Sequence, residues 1–379
     1  MASNGEDGVW RTVSGRRIFI REGQDLKEAM KQSGKFSEVR VKNKNKSFKS
    51  KKIENNKLKN QINLEKSIEK NPTTKFVDDD DVIDKDTGER LNVSLNDYRD
   101  KDGNLTSERE QLHREIIKNY FEGKTPVADG EEKLYYMTGG GAGTGKSRFV
   151  ADTEKYYGGK DFQMYIAEDG SNLFKGNMIK LDADEIKIKL GLDKNNPNSA
   201  GYLHGESSAL VKRITEIAQE NGYNVMLDGT GDGGIKGMIN KIDSAHDRGY
   251  KVYANYGTIS VEEALERNWN RYIDAKAKGE NARLVSGDSV VRTHAKVSQI
   301  LPELASKFDN VKLWDNSGKN PVLIAEGGNG VDLKVKNSYN KEYLAFLEKE
   351  KYNSNDYGNF YDERLKEEDK WIQEKKKKK

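Results

Sequence analysis

Residues 134–150 read LYYMTGGGAGTGKSRFV, and this stretch decides the fold. A short apolar run, Leu134 to Met137, leads into Gly140-x-x-x-x-Gly145-Lys146-Ser147, and a helix-compatible segment follows. Strand, loop and helix in that order are the setting a phosphate-binding loop requires. Glycines let backbone N–H groups converge on phosphate oxygens without side-chain obstruction. The helix that follows turns its positive end to the same anion. Gly140, Gly141, Ala142, Gly143, Thr144 and Gly145 would form the cradle, Lys146 would bring charge to the β- and γ-phosphates, and the Ser147 hydroxyl would ligate Mg²⁺.

Downstream, strand-like and helix-like segments alternate. This predicts an α/β fold of the P-loop NTPase type, three layers deep, with a mainly parallel sheet flanked by helices. NMIKLD runs to Asp182, with Asp184 two residues on, and YNVMLDGTG ends in Asp228, Gly229 and Thr230. YKVYANYGT is a further strand, VEEALERNWNRYIDAK a helix, and VKLWDN with PVLIAEG close the domain. Polar residues at strand ends fit ligand binding at the carboxyl edge of such sheets. Asp228 takes the place of a Walker-B acid. Motor ATPases commonly set a catalytic acid beside it, but here Gly229-Thr230 follows. A reaction that activates a substrate hydroxyl elsewhere does not need that acid. Arg267, Arg271 and Arg283 lie in and just beyond a helix, where a self-contained kinase needs cations over the transferring phosphoryl.

Composition sets the outer limits. In 379 residues, 34% are hydrophobic and 34% charged, with a mean hydropathy of −0.95. A globular domain carries about 45–50% apolar and about 25% charged residues, so a solvated segment must sit beside a core-forming one. The 66 basic and 63 acidic residues leave a net charge of +3, so any nucleic-acid affinity would be regional. With no cysteine, disulfides, thiolate metal sites and Cys nucleophiles are excluded, and a reducing compartment suits the chain. No apolar run reaches the ~20 residues of a membrane span. The start, MASNGEDGVW, lacks the pattern of a signal peptide. The expected location is the cytoplasm, with no membrane partner.

Four regions follow. Residues 1–37 predict a hairpin around Ser14-Gly15 and a short helix after Asp25, a piece that docks on something else. Residues 38–104 are rich in Lys, Asn and Asp and read as a linker, or at most a marginal solvated helix. Their Asp runs fail the EF-hand spacing, since Tyr98 and Arg109 fall where ligands belong, so they are turns. Residues 105–336 form the core domain, opening with a helix capped at Thr106-Ser107-Glu108. Residues 337–379 read as a charged amphipathic helical tail whose terminal lysines suit a helix C-terminus.

Residues 105–330 resemble the zeta toxin family of small P-loop kinases, in particular its phage- or prophage-associated branch. The matching pieces are TSEREQLHREII, GGGAGTGKS, KLDADEIK, HGESSALVKR, NVMLDGTGDG, the Arg271-to-Arg283 segment and SVVRTHAKVSQILPEL. The resemblance implies phosphorylation of the 3′-hydroxyl of UDP-N-acetylglucosamine with ATP or GTP and Mg²⁺, which blocks peptidoglycan precursor supply. It also implies an antitoxin partner. Carried onto this chain, it makes Lys146 the loop lysine, Ser147 the Mg²⁺ ligand and Asp182 the base that accepts the sugar hydroxyl's proton. Asp184 would substitute for that base or contact substrate. Arg271 and Arg283 would be the two family arginines, with Arg267 competing for the first place. Asp228 and Thr230 would contact sugar or metal-bound water, and Asp228 stands where the family often has Glu. Glu206 would reach substrate or serve as a helix-start carboxylate. His113 and His294 would be structural hydrogen-bonders. VWRTVSGRRIFI is similar to short motifs of phage head or minor capsid proteins, which implies a virion partner.

Two further readings stand beside the kinase. One is a virion structural protein with a repurposed loop domain, favoured by the N-terminal motif and opposed by an intact Lys146-Ser147. The other is a nucleic-acid-dependent NTPase, which the missing second acid disfavours.

Overall fold

The computed structural model describes residues 8–13, 16–21, 58–76, 94–102, 104–146, 177–193, 199–280, 284–336 and 338–377. The chain divides into two units, Met1–Glu65 and Lys66–Lys379. In the first, strands β1 (Gly8–Val13) and β2 (Arg16–Arg21) pair antiparallel, from Gly8 opposite Arg21 to Val13 opposite Arg16. This is the expected hairpin. The helix expected after Asp25 lies outside the described residues.

The second unit is built on a seven-stranded sheet. Its centre is β3 (Lys133–Gly139), flanked on one side by β5 (Asn224–Asp228) and then β4 (Met178–Asp182). On the other side come β6 (Tyr250–Thr258) and β7 (Asn310–Asp315). All five run parallel, as the sequence alternation predicts. β8 (Val322–Gly328) and β9 (Val331–Val335) extend the sheet antiparallel. Asn329-Gly330 joins them with φ of 52° and 76°, a pair suited to a tight hairpin. The central strands are buried on both faces: Tyr135, Tyr136 and Met137 on β3, Val225 and Met226 on β5, Val252, Ala254 and Tyr256 on β6. Such strands read as apolar runs, which is why helices must cover both sides.

The covering helices are α3 (Ser107–Phe121), α6 (His204–Glu220), α7 (Ile235–Asp247), α8 (Val261–Ala277) and α9 (Gly287–Leu304). As expected, the Thr106 hydroxyl caps α3, accepting from the Arg109 N–H at 3.4 Å. A short α4 (Ala183–Lys189) follows β4 directly, and a single turn, α5 (Ser199–Tyr202), precedes α6. No helix among the described residues is long and apolar enough to cross a membrane.

Segments on both sides of residues 105–336 belong to the same unit as the sheet. On the N-terminal side that unit starts at Lys66. Helix α1, over 58–70, ends with Ile68 buried, and Leu95 on α2 (Ser94–Asp97) is buried completely. Between them Thr73 shares a 2.8 Å hydrogen bond with His113 of α3, and Arg213 of α6 donates to the Ile68 carbonyl at 3.0 Å. Asp100 folds a turn, accepting from the N–H groups of Asp102 and Asn104. On the C-terminal side the same unit takes in the segment expected to be a charged tail. α10 (Asn340–Glu348) carries Phe346 and α12 (Glu368–Lys377) carries Trp371 onto the core, and Tyr361, just before α11 (Asp362–Lys366), is buried there as well. A few apolar residues in each segment meet a surface supplied from elsewhere, so local composition understates their burial.

Candidate active site

The order of connections reverses between β3 and β6, and the crevice beyond their carboxyl ends is where such sheets bind ligands. The glycine-rich loop begins there. Gly140 donates its N–H to the Thr230 carbonyl at 2.8 Å, tying the loop to the end of β5. Gly141 packs so closely on His294 of α9 that a Cβ would lie 2.2 Å from the ring. Gly143, with φ of 82°, lies so close to α8 that a Cβ would stand 2.8 Å from the Ala264 carbonyl oxygen. No other residue type fits either position without a shift. Thr144, fully buried, donates its hydroxyl to the Gly141 carbonyl at 2.9 Å.

Side chains from α9 and β7 hold the loop from outside. Thr293 Oγ1 accepts from the Ala142 N–H at 3.1 Å. Burial, with the charges of Lys349 and Lys146, lowers the His294 pKa to about 3 although its bond to Ala142 opposes this. The ring is neutral and gives its Nε2 proton to the Ala142 carbonyl at 2.9 Å, the structural part expected of it. Asn316, buried just past β7, donates to the carbonyls of Thr144 and Gly145. Thr293 and Asn316 were absent from the sequence-predicted set. Asn316 carried the same signal as Asp228, a polar residue at the carboxyl end of a parallel strand.

Lys146 donates to the Gly140 carbonyl at 3.1 Å. Burial depresses its pKa, Arg271 adds to this, and Asp228, Asp232 and Asp182 oppose it. Those are the groups gathered around it. Asp228 pairs in register with Thr138 of β3 and with Asp182 of β4. The Thr138 hydroxyl donates to Asp228 at 2.6 Å, and the Thr230 hydroxyl donates to Asp232. Asp182 ends β4 and caps α4, accepting from the Asp184 N–H at 2.8 Å. Burial raises its pKa, and the carboxylates of Asp228, Asp184 and Glu185 push the same way against that hydrogen bond. Asp184 itself is exposed and pairs with Lys187 at 2.9 Å.

The two described arginines separate clearly. Arg267 is taken up by Glu263 at 2.7 Å and by the carbonyls of Asn316 at 2.8 Å and Gly143 at 3.5 Å. It braces the loop. Arg271, one turn on, donates to Asn268 at 3.3 Å, and its charge reaches Lys146. Ser147 and Arg283 lie outside the described residues.

Glu206 requires a correction as a substrate contact. Its carboxylate is fully buried and accepts from Arg109 at 2.6 and 2.8 Å, from His113 at 2.6 Å and from Ser94. A carboxylate so occupied joins α2, α3 and α6. It stands in the interior as structural support, and His113 shares that part, as expected.

A family model described as Zeta toxin matches residues 117–326. No curated protein matches. Among solved structures, a chain of the PezAT chromosomal toxin–antitoxin system of Streptococcus pneumoniae is similar at 15% identity. That match covers 65% of this chain and 96% of that one, with a TM-score of 0.43. The AvrRxo1-ORF1:-ORF2 complex is similar at 19% identity, over 65% and 74% of the two chains, with TM-scores of 0.45 in its native form and 0.47 with ATP. These likenesses are distant. The family match takes in the glycine-rich loop, both strand-end acids and Arg271, and it spans more than half of the sequence: the chain belongs to the zeta toxin family.

Proposed function

We propose that the protein is a kinase that moves the γ-phosphoryl of ATP or GTP to the 3′-hydroxyl of UDP-N-acetylglucosamine. The observation that carries this reading is the pairing of Asp182 with Asp228 within electrostatic reach of Lys146. One acid is set up as a base for an acceptor hydroxyl. In sequence Gly229 follows Asp228, where a water-activating ATPase commonly has a second acid. In the reaction Asp182 takes the hydroxyl proton, the sugar oxygen bonds to the γ-phosphorus, and the bond from that phosphorus to the β–γ bridging oxygen breaks, releasing the nucleoside diphosphate. Lys146 and Arg271 stabilise negative charge on the phosphoryl in transit, with Arg283 proposed beside them. Asp184 and Thr230 are proposed to contact the sugar.

Mg²⁺ takes oxygen ligands, and the carboxylates of Asp228 and Asp232, each held by a threonine hydroxyl, suit it. Those residues would hold it with Ser147. Bound there, it would neutralise charge on the phosphate oxygens. A family of toxins also supports an antitoxin as partner. The virion and nucleic-acid readings rest on the N-terminal motif and the basic linker alone and are not carried further.

The test is to incubate the protein with ATP, Mg²⁺ and UDP-N-acetylglucosamine and weigh the sugar nucleotide by mass spectrometry. Gain of one phosphate with wild type, absent with Lys146→Ala and Asp182→Asn, is expected. An unmodified sugar nucleotide with wild type overturns the acceptor. Transfer by Lys146→Ala at the wild-type rate overturns the kinase reading.

A further inference from the structure

Arg271 is held by a chain of hydrogen bonds that begins outside the family-matched residues. Asn268, buried on α8 one turn before Arg271, accepts from its guanidinium through Oδ1 at 3.3 Å. The same amide donates through Nδ2 to the Val285 carbonyl at 2.7 Å and to the Tyr361 hydroxyl at 3.1 Å. Tyr361 lies between α10 and α11, is 3% exposed, and stacks on Trp269 with ring centres 5.8 Å apart. Its hydroxyl has a single proton, which goes to the Leu265 carbonyl at 2.9 Å. Toward Asn268 the phenol oxygen can therefore only accept.

The Val285 carbonyl, which can only accept, and the guanidinium, which can only donate, set the amide's orientation, and the phenol oxygen is a second acceptor that agrees with it. With two acceptors, Val285 O and Tyr361 Oη, on one side, the NH₂ group must face them and Oδ1 must face the guanidinium. The opposite orientation would set N–H against N–H at Arg271 and oxygen against oxygen at Val285. Val285, whose carbonyl this amide holds, lies two residues after Arg283 in the sequence.

The geometry points to Tyr361 and Asn268 as positioning residues that aim Arg271 at the transferring phosphoryl, an inference that rests on the kinase reading above. The C-terminal segment thereby reaches the reaction through one side-chain amide. Tyr361 touches no substrate. It acts as the second acceptor that holds the Asn268 NH₂ group turned away from Arg271.

The test uses the full chain and needs no acceptor sugar. ADP with aluminium fluoride and Mg²⁺ mimics the planar phosphoryl in flight, whereas ADP alone does not reach that position. Affinity for each is measured in wild type, Tyr361→Phe, Arg271→Ala and the double variant, with melting temperatures alongside. Tyr361→Phe should leave ADP binding unchanged and weaken the fluoroaluminate complex about tenfold, the scale of one hydrogen bond to a charged group. In the Arg271→Ala background it should cause no further loss. Asn268→Leu, which keeps the shape and removes the amide, should behave like Tyr361→Phe even if the phenol variant melts early. Equal weakening in both backgrounds, equal weakening of ADP itself, or no weakening at all overturns the inference. Arg271→Ala with undiminished fluoroaluminate binding overturns the arginine's assignment, and this inference falls with it. That result is separable from the others, because it appears with Tyr361 intact.

Discussion

Asp182 and Asp228 stand side by side as register partners at the carboxyl ends of two neighbouring parallel strands. Adjacent strands run about 4.8 Å apart, so the two carboxylates feel each other strongly. Burial raises the Asp182 pKa, and Asp228 raises it further.

The first prediction concerns pH. In its proposed role Asp182 acts as an ionised base, so activity should be lost as pH falls through its pKa. Because that pKa lies above the ordinary value of 3.8, the acidic limb of kcat/KM should lie above it too. Asp182→Asn should cost about 10²–10⁴-fold in phosphoryl transfer while ATP still binds. Asp228→Asn removes a like charge and should move the acidic limb to lower pH, whatever it does to the plateau rate. A limb that moves up or stays fixed would separate Asp182 from the titration.

A second prediction isolates the loop. Alanine at Gly141 would drive its methyl into the buried ring of His294, 2.2 Å away, and that ring cannot retreat without losing the Ala142 carbonyl. Overpacking of this kind costs about 1–3 kcal/mol. Gly141→Ala should therefore melt lower and bind ATP at least about tenfold more weakly by calorimetry. Gly237→Ala, where a Cβ meets nothing within 4 Å, should leave ATP affinity unchanged.

The loop was legible in the sequence because its signal is local: the glycines, Lys146 and the strand before them are contiguous, and Gly140, Gly143 and Gly145 take the positive φ that glycine favours. The strand-end acids were legible for a related reason, since each closes an apolar run that has to be a strand. The supports were not. Glu206 meets its partners His113, Arg109 and Ser94 across 93, 97 and 112 residues of sequence. Tyr361 meets Leu265 across 96. No periodicity or spacing encodes such meetings, and a carboxylate at a helix start looks the same whether it faces solvent, substrate or a buried arginine. Arg267 and Arg271 shared a helix face in the sequence, and only Asn316, brought up by β7, shows which of them is engaged with the loop.

The buried carboxylate makes a third prediction. Burial pushes the Glu206 pKa up, but hydrogen bonds from His113, Arg109 and Ser94 outweigh it and hold the group at about 2, against 4.5 when unfolded. Its stabilising contribution is thus complete above about pH 4.5 and is lost as pH falls toward 2. Glu206→Gln strands the Arg109 charge in the interior and should cost about 3–5 kcal/mol at pH 7. Urea unfolding at several pH values should show the variant less stable at neutrality, with a shallower decline between pH 4.5 and 2.5.

The last prediction separates the two ends of the charged C-terminal segment. Lys375 pairs with Asp274 at 3.0 Å on the surface, and such exposed pairs contribute little. A chain ending at Glu374 should melt within about 2 °C of the full chain. A chain ending at Lys336 loses the buried Phe346 and Tyr361, the Trp371 edge on Trp269, and the Lys349 ammonium that donates to Thr258 and the Ile259 carbonyl. Each large apolar side chain removed costs about 1.5–3 kcal/mol, and Trp269 would open to water. At about 2–4 °C per kcal/mol for a domain of this size, the melting temperature should fall by roughly 10 °C or more. Lys349→Met tests one part of that loss alone. Burial lowers the lysine's pKa to about 8, so the folded chain releases its proton before the unfolded chain does. Stability should rise from pH 8 to 10 in wild type and rise less in the variant. A full-length melting temperature in the chain ending at Lys336 would show that the segment merely lies against the core.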